Sequence, residues 1–433
     1  MSRPGILLPV IQNWSCHNCG GCCREHMIAI TAAEKARIEK QNWNPNDGTP
    51  SDRPLIVPFG SAWRLNHQAD GACVFLDSKG LCRIHARFGE DAKPLACRVY
   101  PYAIHPAGTS VTTSLRFSCP SVVQNAGTSV AQQRKAVEEI AREVVPSDYR
   151  APEGPELFRG HRLSWQDMTL LLAWFERSLG DTSVRLVTRM MRVLAWLDLL
   201  EQSSAETLTS DQFGALLPLL HEASVRAQPT DTTTRTAPKG IARLMFRQLL
   251  AVLLRHDTVM KTGIGDRLGY LAHGLRFTLG RGRVPWLGDP NSVRTAFMER
   301  ANAPAASRQP TFAELETVFR GPATEIDELL TRYVRVKLQG MHFFGAAFYE
   351  YSVIDGFRSL ALMLPATIWV ARLRAAREGR TELLLRDVQA ALATVDHNFG
   401  YSPALGLSGA RRRVQQLAQL QQLAVLCQWY ADC

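Results

Sequence analysis

The run Ser15–Cys–His–Asn–Cys–Gly–Gly–Cys–Cys–Arg24 decides how the N-terminal part of this chain is read. Two-residue spacers separate Cys16, Cys19 and Cys22, and Cys23 follows directly. Such spacers let successive thiolates turn toward one centre, and Gly20 with Gly21 can take the positive φ angles that a tight wrap requires. Backbone amides in the wrap can also donate to sulfur. Adjacent side chains diverge, so Cys22 and Cys23 are expected to serve different centres or different roles.

Working outward, four more cysteines follow, Cys73, Cys82, Cys97 and Cys119, with 8, 14 and 21 residues between them. They lie on separate elements and must converge in space to bind anything. Eight thiols can supply two four-coordinate sites, one cluster plus a zinc, or one centre with spare cysteines. Thiolates suit zinc and iron–sulfur equally, so ligand softness leaves the metal open. A disulfide framework is the competing reading, but it belongs to small secreted domains, whereas this chain has 433 residues and no evident export signal. Cys427 and Cys433, far from the others, read as small buried apolar residues. His17, His26, His85 and His105 lie near the cysteines and read as surface or supporting groups, because enough thiolates are already present. Arg98, next to Cys97, is the candidate cofactor-binding cation, since a positive charge there offsets a thiolate centre.

The bulk composition is that of an ordinary globular protein, 46% hydrophobic and 21% charged, which argues against wholesale disorder. The net charge of +10 is spread along the chain; its one compact run, Arg411–Arg412–Arg413, reads as a solvated helix face, and no clear nucleic-acid signature emerges. Ser359–Ala371 is a 13-residue apolar stretch that contains Pro365, too short to span a bilayer as a helix. With no membrane span and no leader, a cytoplasmic protein is expected.

The expected fold is α+β: a small Cys-rich metal-binding domain with short strands over residues 1–127, then a mainly helical domain over 128–433. Val111, Thr113, Leu115 and Phe117 share one face of an expected half-buried strand. Ser129 followed by Gln132 fits a capping box that opens the helical part. Helices are expected near 164–177, 183–201, 210–221, 240–257, 311–319, 323–338, 353–376, 383–396 and 409–430, with loops at 228–239 and 280–309. Catalytic signatures are missing: no strand–GxGxxG–helix fingerprint, no C-x3-C-x2-C run, no G-x-S-x-G, P-loop or H-E-x-x-H. The pattern Gly263–Ile–Gly265–Asp–Arg–Leu–Gly269 reads as a loop. Glu350, Asp355 and His397 read as structural groups, with a poised acid near Tyr349 and Tyr351 as the sharper alternative.

Taken together with Ala72–Cys–Val–Phe–Leu–Asp77, Leu81–Cys–Arg–Ile–His85, Pro94–Leu–Ala–Cys–Arg–Val–Tyr–Pro101 and Phe117–Ser–Cys–Pro120, the opening run resembles the zinc- or iron-chelating CxxCxxCC cysteine-cluster family. Phe88–Gly89–Glu90 and the strand that ends in Ser118–Cys119–Pro120 are closer still to its flagellin lysine-N-methylase branch. Weaker likeness around Tyr333–Phe344 and His397 points the same way. The resemblance implies a cluster-bearing protein, holding iron–sulfur of the 4Fe–4S type or zinc, that methylates lysines of a protein substrate such as flagellin, with S-adenosylmethionine as donor. The alternatives are a non-enzymatic zinc or iron–sulfur module and a redox protein with a helical partner-binding domain.

Overall fold

Short strands occupy the cysteine-bearing part and helices the remainder in the computed structural model, which describes residues 5–146, 148–149, 153–158, 160–203, 207–227, 236–254, 264–285 and 308–431. The α+β class is the one expected. The early strands are β1 (Gly5–Leu7), β2 (Ala29–Ile30), β3 (Ile56–Phe59), β4 (Ala62–Leu65), β5 (Tyr102–Ala107) and β6 (Ser110–Leu115), interspersed with helices α1 (Gly21–Glu25), α2 (Ala32–Glu39), α3 (Arg83–Phe88), α4 (Leu95–Val99) and α5 (Pro120–Val123). They build two three-stranded sheets, ordered β1-β6-β5 and β2-β4-β3. In the first, β1 runs parallel to β6, and β5 pairs antiparallel with β6 from Tyr102↔Leu115 to Ala107↔Ser110.

Each sheet belongs to a different core. Ile30, Ile38, Leu65, Val74, Phe75 and Ile84 form a small satellite core that Cys73 completes. The large core takes Ile6, Leu115, Phe117 and Val122 from the other sheet and its surroundings and merges them with the helices, so residues on both sides of position 127 share it. Those helices are α6 (Arg134–Val144), α7 (Trp165–Gly180), α8 (Leu186–Gln202), α9 (Ser210–Ala227), α10 (Gly240–Leu253), α11 (Ile264–Leu279), α12 (Phe312–Leu315), α13 (Ala323–Gln339), α14 (Val353–Ala361), α15 (Met363–Arg377), α16 (Leu385–Asn398), α17 (Ser408–Gln419) and α18 (Leu423–Ala431).

Several expectations are corrected. β6 is buried on both faces, not one: Thr112 and Ser114 are inaccessible because the end of α13 lies against them. Thr112 donates to the Gly340 carbonyl at 3.1 Å, and a Cβ on Gly340 would fall 2.5 Å from that of Ser114. Ser129 makes no capping bond; its segment is held instead by the Asn13↔Ser129 bridge, and a 3-10 turn precedes α6. A hairpin, β7 (Glu156–Phe158) with β8 (His161–Arg162), interrupts the helical part. Gly265 and Gly269 lie inside α11 rather than in a loop. The single helix expected over 353–376 breaks at Leu362, where Pro365 withholds the N–H that would bond the Ala361 carbonyl. Buried Cys427 donates its S–H to that carbonyl at 3.6 Å. The helix expected over 409–430 likewise breaks, at left-handed Gln421 with φ 56°. The span Val353–Arg377 is long and apolar enough for a membrane, yet 94% of its window is buried, with α15 packed against α16 and α18 as a core helix. Cys433 and parts of the two expected loops lie outside the described residues.

Candidate metal centre

The cysteine loop is stapled to the fold at both ends, by different partners. At its start, Trp14 N–H donates to the Thr128 carbonyl at 2.9 Å and Ser15 N–H to the Ala126 carbonyl at 3.0 Å. Gly127, at φ +109°, permits this pairing, since a Cβ there would sit 2.4 Å from the Ser15 nitrogen. The Ser121 hydroxyl meets His17 Nδ1 at 2.9 Å. These contacts hold the start of the loop against the segment around Cys119, which has Cys19 as a neighbour and stands immediately before α5. At the loop's end, Cys73 N–H donates to the Cys23 carbonyl at 2.7 Å, which lays the loop on the segment from Cys73 to Cys82.

Tight turns position the remaining thiols. Gly20 takes φ 68° as expected, whereas Gly21 begins α1, and the second left-handed residue is Asn18 at φ 52°. Gly80, at φ 82°, approaches this wrap so closely that its Cβ would meet the Asn18 carbonyl oxygen at 3.0 Å. One Asp77 carboxylate oxygen accepts from the Lys79 and Leu81 amides, both at 2.8 Å, and thereby forms the turn that presents Cys82. Cys97 is carried on α4, which Glu34 of α2 holds by accepting from Leu95 N–H at 2.7 Å.

All nine described cysteines are free thiols. Their electrostatic neighbours form two overlapping groups that share Cys22. Cys19 lies beside Cys16 and Cys22, and Cys119 beside Cys19. Cys73 lies beside Cys82 and Cys22, and Cys97 beside Cys73, Cys82 and Cys22. Burial pushes the Cys73 thiol up to about 12 and that of Cys119 up to about 11, with neighbouring sulfur adding to both. Burial likewise holds Cys97 well above the ordinary thiol range. Backbone N–H groups oppose this: Gly21 donates to Cys19, Phe75 to Cys73, and Val122 with Ser121 to Cys119. Among the described residues, no three His, Cys, Asp or Glu side chains already focus on one point as a metal site. The donor chemistry nonetheless fits a thiolate-bound metal. Crowded thiols that are too buried to ionise alone, yet already receive N–H bonds, are what a cation of high charge would turn into thiolates.

The candidate histidines have other partners. His26 stacks on His397 at 4.9 Å and packs on Tyr100 at 4.7 Å; His85 pairs with Glu90 at 3.3 Å; His105 Nε2 meets the Thr112 hydroxyl at 2.8 Å. Arg98 is engaged by Asp91 at 3.4 Å and more closely by Glu143 of α6. The cation beside the thiols is Lys93, which lowers the Cys22 and Cys97 thiols while paired with Glu90 at 2.9 Å. Only its position four residues before Cys97 could have signalled this.

Beneath the cysteine loop lies a polar cluster that sequence reasoning did not assemble. Lys337 of α13 and Asp396 of α16, both with 0% side-chain exposure, form an ion pair at 2.8 Å. Lys337 also donates to the Leu115 carbonyl at 3.1 Å, and the other Asp396 oxygen accepts from Phe117 N–H. His342 is 3.4 Å from Lys337, and Arg116 covers the Tyr401 ring at 3.7 Å. Tyr100, partly buried between Cys119, Cys22 and Arg116, joins this cluster to the thiols. Asp355 is a paired core acid, 2.7 Å from the Gln415 amide and 3.6 Å from Arg411.

A family model described as a zinc- or iron-chelating CxxCxxCC domain matches residues 15–120, the span that contains all eight clustered cysteines. No curated protein and no solved structure matches the chain. The family match supports binding of zinc or iron by this region.

Proposed function

We propose that the N-terminal cysteines hold an iron–sulfur cluster of the 4Fe–4S type or zinc, and that this metal-bearing region works with the helical region as a protein-lysine N-methylase. The observation that carries the metal part is the approach of cysteines from both ends of the region onto one loop, with backbone N–H groups directed at their sulfurs. Arg98 and Lys93 would balance the centre's charge. The methylase part is supported by the resemblance and by a structural coincidence. The segments Tyr333–Phe344 and His397, distant in sequence, meet in the buried cluster around Lys337 and Asp396, next to Tyr100 and the thiols.

In the proposed reaction, the neutral Nε of a lysine on a flagellin-type protein attacks the methyl carbon of S-adenosylmethionine. The N–C bond forms as the S–C bond breaks, S-adenosylhomocysteine leaves, and a proton is released from nitrogen. A non-enzymatic metal module is the second reading, favoured by the small satellite core, which is of the size that structural metal sites support.

Anaerobic purification with metal and acid-labile sulfide analysis tests the metal part. Brown protein containing iron and sulfide, or colourless protein with stoichiometric zinc, is the expected result; protein free of both overturns it. For the methylase part, S-adenosylmethionine should raise the melting temperature and label lysines of a flagellin-type acceptor. Metal-loaded protein that shows neither effect leaves the module reading standing and removes the methylase.

A further inference from the structure

We infer that the outer face of α11, together with the arginines at its C-terminal end, is a docking surface for an anionic lipid bilayer. The inference is independent of the metal centre and of the methylase reading.

α11 is anchored by its inner face. Phe277, fully buried, meets Phe312 and Trp369 edge-on at 5.5 and 5.4 Å. Arg247 of α10 donates to the Thr278 carbonyl at 3.0 Å, close to where left-handed Gly280 ends the helix. Successive helical residues turn by about 100°, so Leu275, two positions before Phe277, points to the opposite side. On that outer side Leu271, Leu275 and Leu279 follow one another at four-residue spacing, 70%, 62% and 52% exposed. They form a ridge about 12 Å long. No other described helix exposes more than one large apolar side chain; Leu219 of α9 stands singly, as is ordinary on a protein surface.

Charge selects the occupant. Residues 232–288 hold ten Lys and Arg against two Asp and no Glu, while the rest of the chain has forty against thirty-eight. The net charge that reads as spread along the chain is therefore concentrated around this helix. Arg276 is exposed next to the ridge, and exposed Arg281 and Arg283 follow directly from its end. None of the three has an acidic partner among the described residues. Leucines flanked by unpaired arginines fit the boundary between headgroups and acyl chains, where apolar side chains enter and cations meet phosphate. A second copy of the chain would bring two positive faces together, which repel. Nucleic acid would use the arginines but leave the leucines in water.

The experiment is co-sedimentation of the full chain, as purified, with vesicles of phosphatidylcholine alone or mixed with phosphatidylglycerol. Binding is expected to the mixed vesicles only, and it should fall as salt rises toward about 1 M, where charges are screened beyond about 3 Å. Arg276→Gln, Arg281→Gln and Arg283→Gln should each weaken it about fivefold. Leu275→Ser with Leu279→Ser should weaken it by about tenfold or more, whereas Leu219→Ser should leave it unchanged. All these side chains are exposed, so each variant should melt as wild type does, which serves as the folding control. Failure to bind mixed vesicles, equal binding to phosphatidylcholine alone, or binding that ignores either set of substitutions overturns the proposal. With vesicles ignored, oligonucleotide binding that needs only the arginines would assign the face to nucleic acid, and dimerisation lost with the leucines would assign it to a second copy.

Discussion

The satellite built on β2-β4-β3 and the body built on β1-β6-β5 stabilise their chain by unequal means. The body fuses its sheet with the helices into one continuous core, whereas the satellite has a handful of buried apolar side chains, several of them beside cysteines. A core that small does not normally offset the chain entropy it must overcome, and metals are a common remedy. The comparison teaches that the same residue type sits in unlike settings: Cys73 completes a satellite core that is small, whereas Cys119 is buried in a body with an extensive core of its own. On the proposed metal-binding reading, the satellite is the region that would depend on its thiols.

The strongest way to break this comparison is to withdraw the metal. Structural zinc contributes on the order of 10 kcal/mol to small sites, enough to decide whether they fold. Stripping the metal with a chelator at neutral pH should abolish hydrogen-exchange protection over residues 29–97 while the amides of α13, α15 and α16 keep theirs. Equal loss in both regions, or in neither, would show that the satellite does not depend on its thiols.

Next in size is the body's own polar centre. Lys337→Met leaves Asp396 charged, buried and without its partner, which is expected to cost about 3–5 kcal/mol in denaturant unfolding. The double variant with Asp396→Asn should recover most of that, since a neutral pair carries no uncompensated charge. Neither change should alter metal content, because the pair belongs to the large core rather than to the satellite.

How much of this was legible in the sequence follows from the physics of each part. Helical periodicity located most helices, because 3.6-residue spacing is a local property, but it missed the break at Leu362, which depends on Pro365 and on Cys427 arriving from α18. Cysteine spacing identified the thiol set and the wrap at Gly20, yet not which thiols are neighbours, since that depends on staples between residues more than a hundred positions apart, such as Ser121 with His17. Lys337 and Asp396 look like ordinary helix-surface charges; only the packing of α13 on β6 and of α16 on α13 and α5 buries them. Thr112 and Ser114 mimicked a solvent face for the same reason.

Acid sharpens the contrast at intermediate size. Burial pushes His105 down to about 4 and holds His342 well below its ordinary value. The unfolded imidazole takes up its proton near pH 6.5, so between there and pH 4 the unfolded chain binds more protons than the folded one. Stability of the body must therefore fall as pH drops through that window, by about 3 kcal/mol for His105 if its full shift is realised. Urea unfolding of α13 and α16, followed by hydrogen exchange at pH 7 and pH 4.5, should show the decline, and His105→Gln should flatten it. A stability that is level across the window would mean that these imidazoles are not buried uncharged.

The smallest expected effect tests the seam between the regions. Arg98, adjacent to Cys97, is shared between Asp91 of the satellite and Glu143 of the body, and Glu143 is half-exposed. An ion pair with that much solvent contributes roughly 0.5–1 kcal/mol, so Glu143→Gln should barely move the melting temperature. What it does to metal retention is the sharper measurement. If Arg98 serves only as a strap between regions, chelator-driven metal loss from Glu143→Gln and Arg98→Ala should match wild type within twofold. If its charge supports the thiolates, releasing it from Glu143 should slow the loss and Arg98→Ala should speed it, because the two variants then change the positive charge near Cys97 in opposite directions.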